Sequence, residues 1–149
     1  NEIKGFLETS FVDWPGKICS VIFLPHCNFR CPYCHNHALV LHPEQYLSIP
    51  MEDILHRLHS LRDWIDGICV TGGEPTLQPR LPLLIREIKR HGFLVKLDTN
   101  GSNPQMLEQL MCKGHALRLV AALRAAFQQK AAGRRVPQQL GRMPRAARV

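Results

Sequence analysis

Residues 18–34 read ICSVIFLPHCNFRCPYC and residues 68–75 read ICVTGGEP. The first opens on an apolar run, 18–24, without the in–out alternation of a half-solvated strand, which is how a parallel strand covered on both faces reads. The second repeats the form, with a short apolar run over 68–71 that breaks at two glycines. Between them Pro50 can open a helix at its first turn. Met51, Ile54, Leu55, Leu58, Leu61 and Ile65 then recur at three- and four-residue spacing, with Asp53, His56, Arg57 and Ser60 opposite. Gly67 is expected to break that helix. A second helix is expected with Pro82 early, Leu81, Leu84, Ile85 and Ile88 on one face, and Gly92 as its stop. Residues 93–98 read as a third strand, and Asn103-Pro104 as an N-cap and first-turn proline opening a third helix through about Met111. Strand–helix alternation of this kind predicts an α/β fold with a parallel sheet.

The chain has 149 residues, 45% hydrophobic and 21% charged, room for one domain with a core. No stretch approaches the roughly 18–20 apolar residues of a membrane span. The start carries Glu2, Lys4, Glu8 and Asp13 without an apolar run, so no secretory signal is expected, and the chain begins at Asn1 rather than Met. The net charge of +7 divides unevenly. Residues 1–110 hold ten Lys/Arg and all 12 acids, net −2; residues 111–149 hold nine Lys/Arg and no acid, net +9. Residues 113–132 are rich enough in Ala and Leu to form a helix, and the segment after Gly133 reads as disordered. A basic tail invites a nucleic-acid reading. The body lacks aromatic–basic interleaving, so nucleic acid is not expected as a partner.

Six cysteines are present, and Cys27, Cys31 and Cys34 form C-x3-C-x2-C in the loop after the first strand. Three clustered thiols cannot all pair as disulfides, so a metal site is the better reading. Thiolates select zinc or iron–sulfur clusters. Structural zinc wants four ligands, and His35 or His37 could be the fourth. An iron–sulfur cube on three cysteines instead leaves one iron open. Cys19 and Cys69 lie within strand patterns and read as buried small residues.

C-x3-C-x2-C with Tyr33 before the last cysteine, together with Thr71-Gly72-Gly73-Glu74-Pro75 after the second strand, resembles the radical S-adenosylmethionine (radical SAM) enzymes. The leading segment Lys4-Gly5-Phe6, Thr9-Ser10 and Asp13-Trp14-Pro15-Gly16-Lys17, with Cys34-His35-Asn36 and Asp98-Thr99-Asn100-Gly101, is similar to the glycyl-radical activating enzymes. Within them it is most similar to the anaerobic ribonucleoside-triphosphate reductase activating proteins. Pyruvate formate-lyase activases are close relatives, and 7-carboxy-7-deazaguanine synthases a further alternative. The resemblance covers roughly residues 2–110.

The resemblance implies a partial (βα)6 barrel, of which about three βα units are visible. Residues 1–110 would be the N-terminal part of the radical SAM domain. Residues 111–149 would be a non-family basic tail, such as a frame shift would give. It also implies a 4Fe–4S cluster on Cys27, Cys31 and Cys34, with S-adenosylmethionine (SAM) on the open iron. Reductive cleavage of SAM to a 5′-deoxyadenosyl radical would then generate a glycyl radical on a partner enzyme. By resemblance, Gly72, Gly73 and Glu74 handle the methionine moiety, Tyr33 packs near the adenine, His35 lies close to the cosubstrate, and Asp98 and Thr99 lie near its carboxylate. Asp13-Trp14-Pro15-Gly16 would help receive the partner's glycyl loop, or is a tight turn. An electron donor such as flavodoxin or ferredoxin and a reducing cytoplasm complete the expectation.

Overall fold

A computed structural model describes residues 2–112 and 117–121. Its elements run β1 (Gly5–Ser10), β2 (Cys19–Leu24), a short helix α1 (His37–Leu41), α2 (Met51–Ser60), β3 (Gly67–Gly72), α3 (Leu81–Arg90), β4 (Leu94–Thr99), α4 (Pro104–Cys112) and β5 (Leu117–Ala121). The strands form one sheet in the order β1-β2-β3-β4-β5, with β1 antiparallel to β2 and every later pair parallel. Because each crossover moves to the next position in the same direction, and crossovers share one hand, the helices collect on one face. That is the wall of a barrel rather than a doubly wound sheet, whose strand order reverses.

The alternation along the strands builds two unlike faces. Ile22, Leu24, Ile68, Val70, Val95 and Leu97 point to the helices and share a core with Ile54 and Leu58 of α2, Leu81, Leu84, Ile85 and Ile88 of α3, and Leu110. Cys19, Val21 and Cys69 face the other way and form a second cluster with Trp14. Glu52 and Asp53 in the first turn of α2 and Lys89 and Arg90 in the last turn of α3 complement the helix dipoles. Asn103 caps α4 as expected, its Oδ1 accepting from the Met106 N–H at 3.2 Å. No helix among the described residues is long and apolar enough to cross a membrane.

The three expected strands are present, each displaced by a residue or so. Three expectations need correction. The first helix stops at Ser60 rather than running to Ile65. The chain turns at Leu61–Trp64, which carries Ile65 into the core and brings Asp66 to accept from the Ile18 N–H at 2.9 Å. β1 was not anticipated, because its run is short and only half buried. Residues 117–121, expected within a helix, instead pair with β4 from Val95↔Leu117 to Thr99↔Ala121. An open parallel edge here outweighs local helix propensity. The rest of the tail lies outside the described residues.

Candidate functional site

Parallel strands in register put their C-terminal ends at one rim, where ligands bind in such sheets. Three loops meet there: residues 25–36 after β2, 73–80 after β3 and 100–103 after β4. The β2 and β3 ends are joined by backbone. Gly73 N–H donates to Leu24 O at 2.8 Å and Glu74 N–H to His26 O at 2.7 Å. The Asn36 carboxamide donates to Gly72 O at 2.9 Å and fastens the far end of the cysteine loop to the same strand.

That closeness explains the two glycines. A Cβ on Gly72, which has φ +114°, would lie 2.3 Å from Leu24 O, and one on Gly73 would lie 1.9 Å from His26 O. The space that a side chain would take is filled by the backbone of the β2 end at Gly72 and of the cysteine loop at Gly73. His26, the residue before the first cysteine, adopts φ 66° to turn the chain out of the sheet, a conformation that ordinarily favours glycine.

Glu74 is only 1% exposed. Its Oε1 accepts from the Thr76 N–H at 3.0 Å, the Thr76 hydroxyl, and the Thr99 hydroxyl at 2.7 Å, while Oε2 accepts from the Asn100 N–H at 2.6 Å. A buried carboxylate needs such donors. In this chain it ties the end of β4 to the loop after β3, and Thr99 works with it.

Asp98 faces the other side of the sheet. Its Oδ1 is 2.7 Å from Lys96 Nζ, and its Oδ2 accepts from the Cys69 thiol at 3.3 Å. Lys96 is 5% exposed and also donates to the Asp13 carbonyl at 2.6 Å. Burial works against the charge on Lys96, but Asp98 and the Cys69 sulfur outweigh it and hold the lysine above its ordinary range. Burial pushes the Cys19 thiol up to about 11, helped by Asp13 and opposed by Lys96. Cys69 moves further in the same direction, through burial first and then Asp98.

Cys27, Cys31 and Cys34 are each partly buried, and none is in a disulfide. Burial raises Cys31, and the neighbouring Cys34 and Cys27 raise it again, as expected of thiols crowded into one loop. Burial also raises Cys27, against the Phe29 N–H that donates to its sulfur at 3.3 Å. The Asn100 amide donates to the same sulfur at 3.8 Å. Among the described residues, no three His, Cys, Asp or Glu side chains converge as ligands of a single ion. A cube spreads its ligands over separate irons and asks for no such convergence. Three thiols in one loop, with N–H donors aimed at the first, fit a cluster bound by three thiolates.

Not every expected site residue joins this arrangement. Tyr33 is 87% exposed, and His35 is exposed beside it. Asp13-Trp14-Pro15-Gly16 forms a tight turn, with Lys17 N–H donating to Trp14 O at 3.0 Å, at the opposite rim from the cysteines. Residues with no expected role do contribute: Asn28, Asn36, Thr76, Lys96 and Asn100. Asn28 and Asn36 lie within and beside the cysteine motif and Asn100 within Asp98-Thr99-Asn100-Gly101, which is their only signal in the sequence.

Residues 21–123 match the family model of the Radical SAM superfamily. The match continues past Leu110 and takes in β5, so the resemblance does not stop where the charge changes. Among curated relatives, a Methanocaldococcus jannaschii protein provisionally named a glycyl-radical enzyme activating enzyme is 40% identical over 110 residues, 73% of this chain and 44% of the relative. A 7-carboxy-7-deazaguanine synthase of Neisseria meningitidis serogroup B is 37% identical over 89 residues, 60% of this chain and 39% of the relative. The pyruvate formate-lyase-activating enzyme of Staphylococcus aureus strain USA300 is 33% identical over 107 residues, 66% and 42% respectively. The chain thus spans less than half the length of these relatives. Radical SAM proteins use a 4Fe–4S cluster and SAM, and the donor set at this rim suits the first. With its singly wound, mostly parallel sheet, its three-cysteine loop and the family match, the chain belongs to the radical SAM superfamily.

Proposed function

We propose that this chain is the cluster-bearing part of a glycyl-radical activating enzyme, with anaerobic ribonucleoside-triphosphate reductase as its partner. The observation that carries the reading is the backbone tie of Gly73 and Glu74 to the loop that bears Cys27, Cys31 and Cys34. The M. jannaschii and S. aureus relatives support activation of a glycyl-radical enzyme. The choice of reductase rests on the motifs from Lys4 to Lys17.

When bound, the cluster and SAM supply one-electron cleavage of a sulfonium C–S bond, and the partner's glycine loses a hydrogen. The chain's own work is positional. Cys27, Cys31 and Cys34, each partly buried, would ligate three irons. The Gly72–Gly73 backbone would border the methionine moiety, with Glu74 bracing it from beneath. Tyr33 and His35, exposed on the cysteine loop, would fold onto the nucleoside. Asp98, held by Lys96, would present its carboxylate to the inner face, while Thr99 on the opposite face holds Glu74. Flavodoxin or ferredoxin would deliver the electron. Thiols kept out of disulfides suit a reducing cytoplasm.

The test is anaerobic reconstitution of the full chain, reduction, and assay for methionine and 5′-deoxyadenosine, then for a glycyl-radical EPR signal in the reductase. The proposal expects both. A loaded cluster that never cleaves SAM would overturn it. The N. meningitidis relative favours a second reading, a small-molecule substrate. SAM cleavage without any radical on the reductase or on pyruvate formate-lyase would favour that reading.

A further inference from the structure

Asn100 touches all three rim loops. Its N–H donates to Glu74 Oε2 at 2.6 Å, fixing it to the loop after β3. Its Oδ1 accepts from the Ser102 N–H at 2.9 Å. A backbone N–H can only donate, so this contact settles which end of the carboxamide is oxygen. Nδ2 must therefore face the cysteine loop, where it donates to Asn28 Oδ1 at 3.0 Å and to Cys27 Sγ at 3.8 Å. Asn28 is held in turn, its Nδ2 donating to Ser102 Oγ at 2.9 Å. Both carboxamides are thus locked by partners 72 and 74 residues away in the chain.

We propose that Asn100 is a positioning residue for the first cluster ligand: its carboxamide holds Cys27 in place, donates to its sulfur, and so sets the reduction potential of the bound cluster. The inference rests on the reading that the three cysteines hold a 4Fe–4S cluster. An N–H donor at a ligating thiolate withdraws charge from it and favours the more negative, reduced cluster. Reduction adds one electron, delivered by dithionite in the experiment below, and moves no proton. Phe29 N–H approaches the same sulfur from within the loop. Asn100 adds a donor from outside it, so the potential is coupled to how the rim is assembled.

The experiment compares the full chain with its Asn100→Asp, Asn100→Ala and Asn28→Ala variants, reconstituted anaerobically. Iron and sulfide content are measured first, then the midpoint potential by EPR-monitored dithionite titration. Asn100→Asp keeps the acceptor for Ser102 and replaces the donor by a charge. Asn100→Ala removes both. Each is expected to need at least a tenfold stronger reducing poise for half-reduction, roughly 59 mV for a one-electron couple, with Asn100→Asp shifted further. Asn28→Ala, which leaves the sulfur donor in place, should stay near the parent. Loss of iron from both Asn100 variants but not from Asn28→Ala would also support the assignment. Equal potentials in the parent and both loaded Asn100 variants would overturn it, as would iron loss from all three variants, which would make the contact a structural staple only. Failure of the parent itself to take up iron and sulfide would instead overturn the cluster reading beneath it.

Discussion

A Cβ at Gly73 would stand 1.9 Å from the carbonyl oxygen of His26, so the β3 end and the cysteine loop cannot both keep their places if it is added. Gly73→Ala should cost about 3 kcal/mol or more and lower iron uptake, both read on the same preparation by thermal unfolding and metal analysis. A variant equal to the parent in both would show that the two segments are not packed this way. His26 pulls in the other direction. Its left-handed backbone costs a residue with a side chain about 1–2 kcal/mol, partly offset by the extra entropy of an unfolded glycine. His26→Gly should therefore stabilise the chain by up to about 1 kcal/mol in denaturant unfolding.

The inner-face groups predict alkaline weakness. In the unfolded chain Cys19 ionises near 9.0, but in the folded chain only near about 11. Cys69 and Lys96 are raised as well. Each folded group keeps its proton where the unfolded group has begun to lose it. Stability is then full below pH 9 and falls as pH rises through the folded values. Urea unfolding of the metal-free chain between pH 8 and 11 should show the loss, and Cys19→Ala together with Cys69→Ala should reduce it. A flat profile in the parent would contradict the buried network.

Among the elements, the parallel strands were legible because a strand covered on both faces is a local apolar run, as in β2 and β3. The cysteine trio and Gly-Gly-Glu-Pro were legible for a similar reason, since each motif is contiguous. β1 and β5 were not. β1 is only half buried, and β5 exists because β4 offers an unpaired edge, which no window of local sequence contains. The same limit hid Asn100, Asn28 and Lys96, whose partners are distant in the chain or lie on a face that spacing alone does not identify. The pairing of β5 predicts that a chain ending at residue 112 exposes the β4 edge. It should unfold at a lower temperature and self-associate in size-exclusion chromatography. An unchanged midpoint with a monomeric profile would mean that β5 adds nothing to the sheet.

At the scale of the whole molecule, the +7 charge is the sum of two unlike parts, −2 over residues 1–110 and +9 over 111–149. The site belongs wholly to the first part, so the basic balance carries no information about its chemistry. Family membership, by contrast, crosses the boundary, since the match runs to residue 123. What unites the molecule is one rim where three strands end and three loops are cross-tied around Cys27, Cys31 and Cys34. The measurement that bears on this most directly is iron, labile sulfide and zinc content after anaerobic reconstitution, with EPR of the reduced protein before and after SAM is added. The account predicts a brown protein with about four irons and four sulfides per chain, a reduced-cluster signal that SAM perturbs, and loss of both when the three cysteines are replaced by alanine. A colourless chain that binds a single zinc through the same cysteines would contradict it.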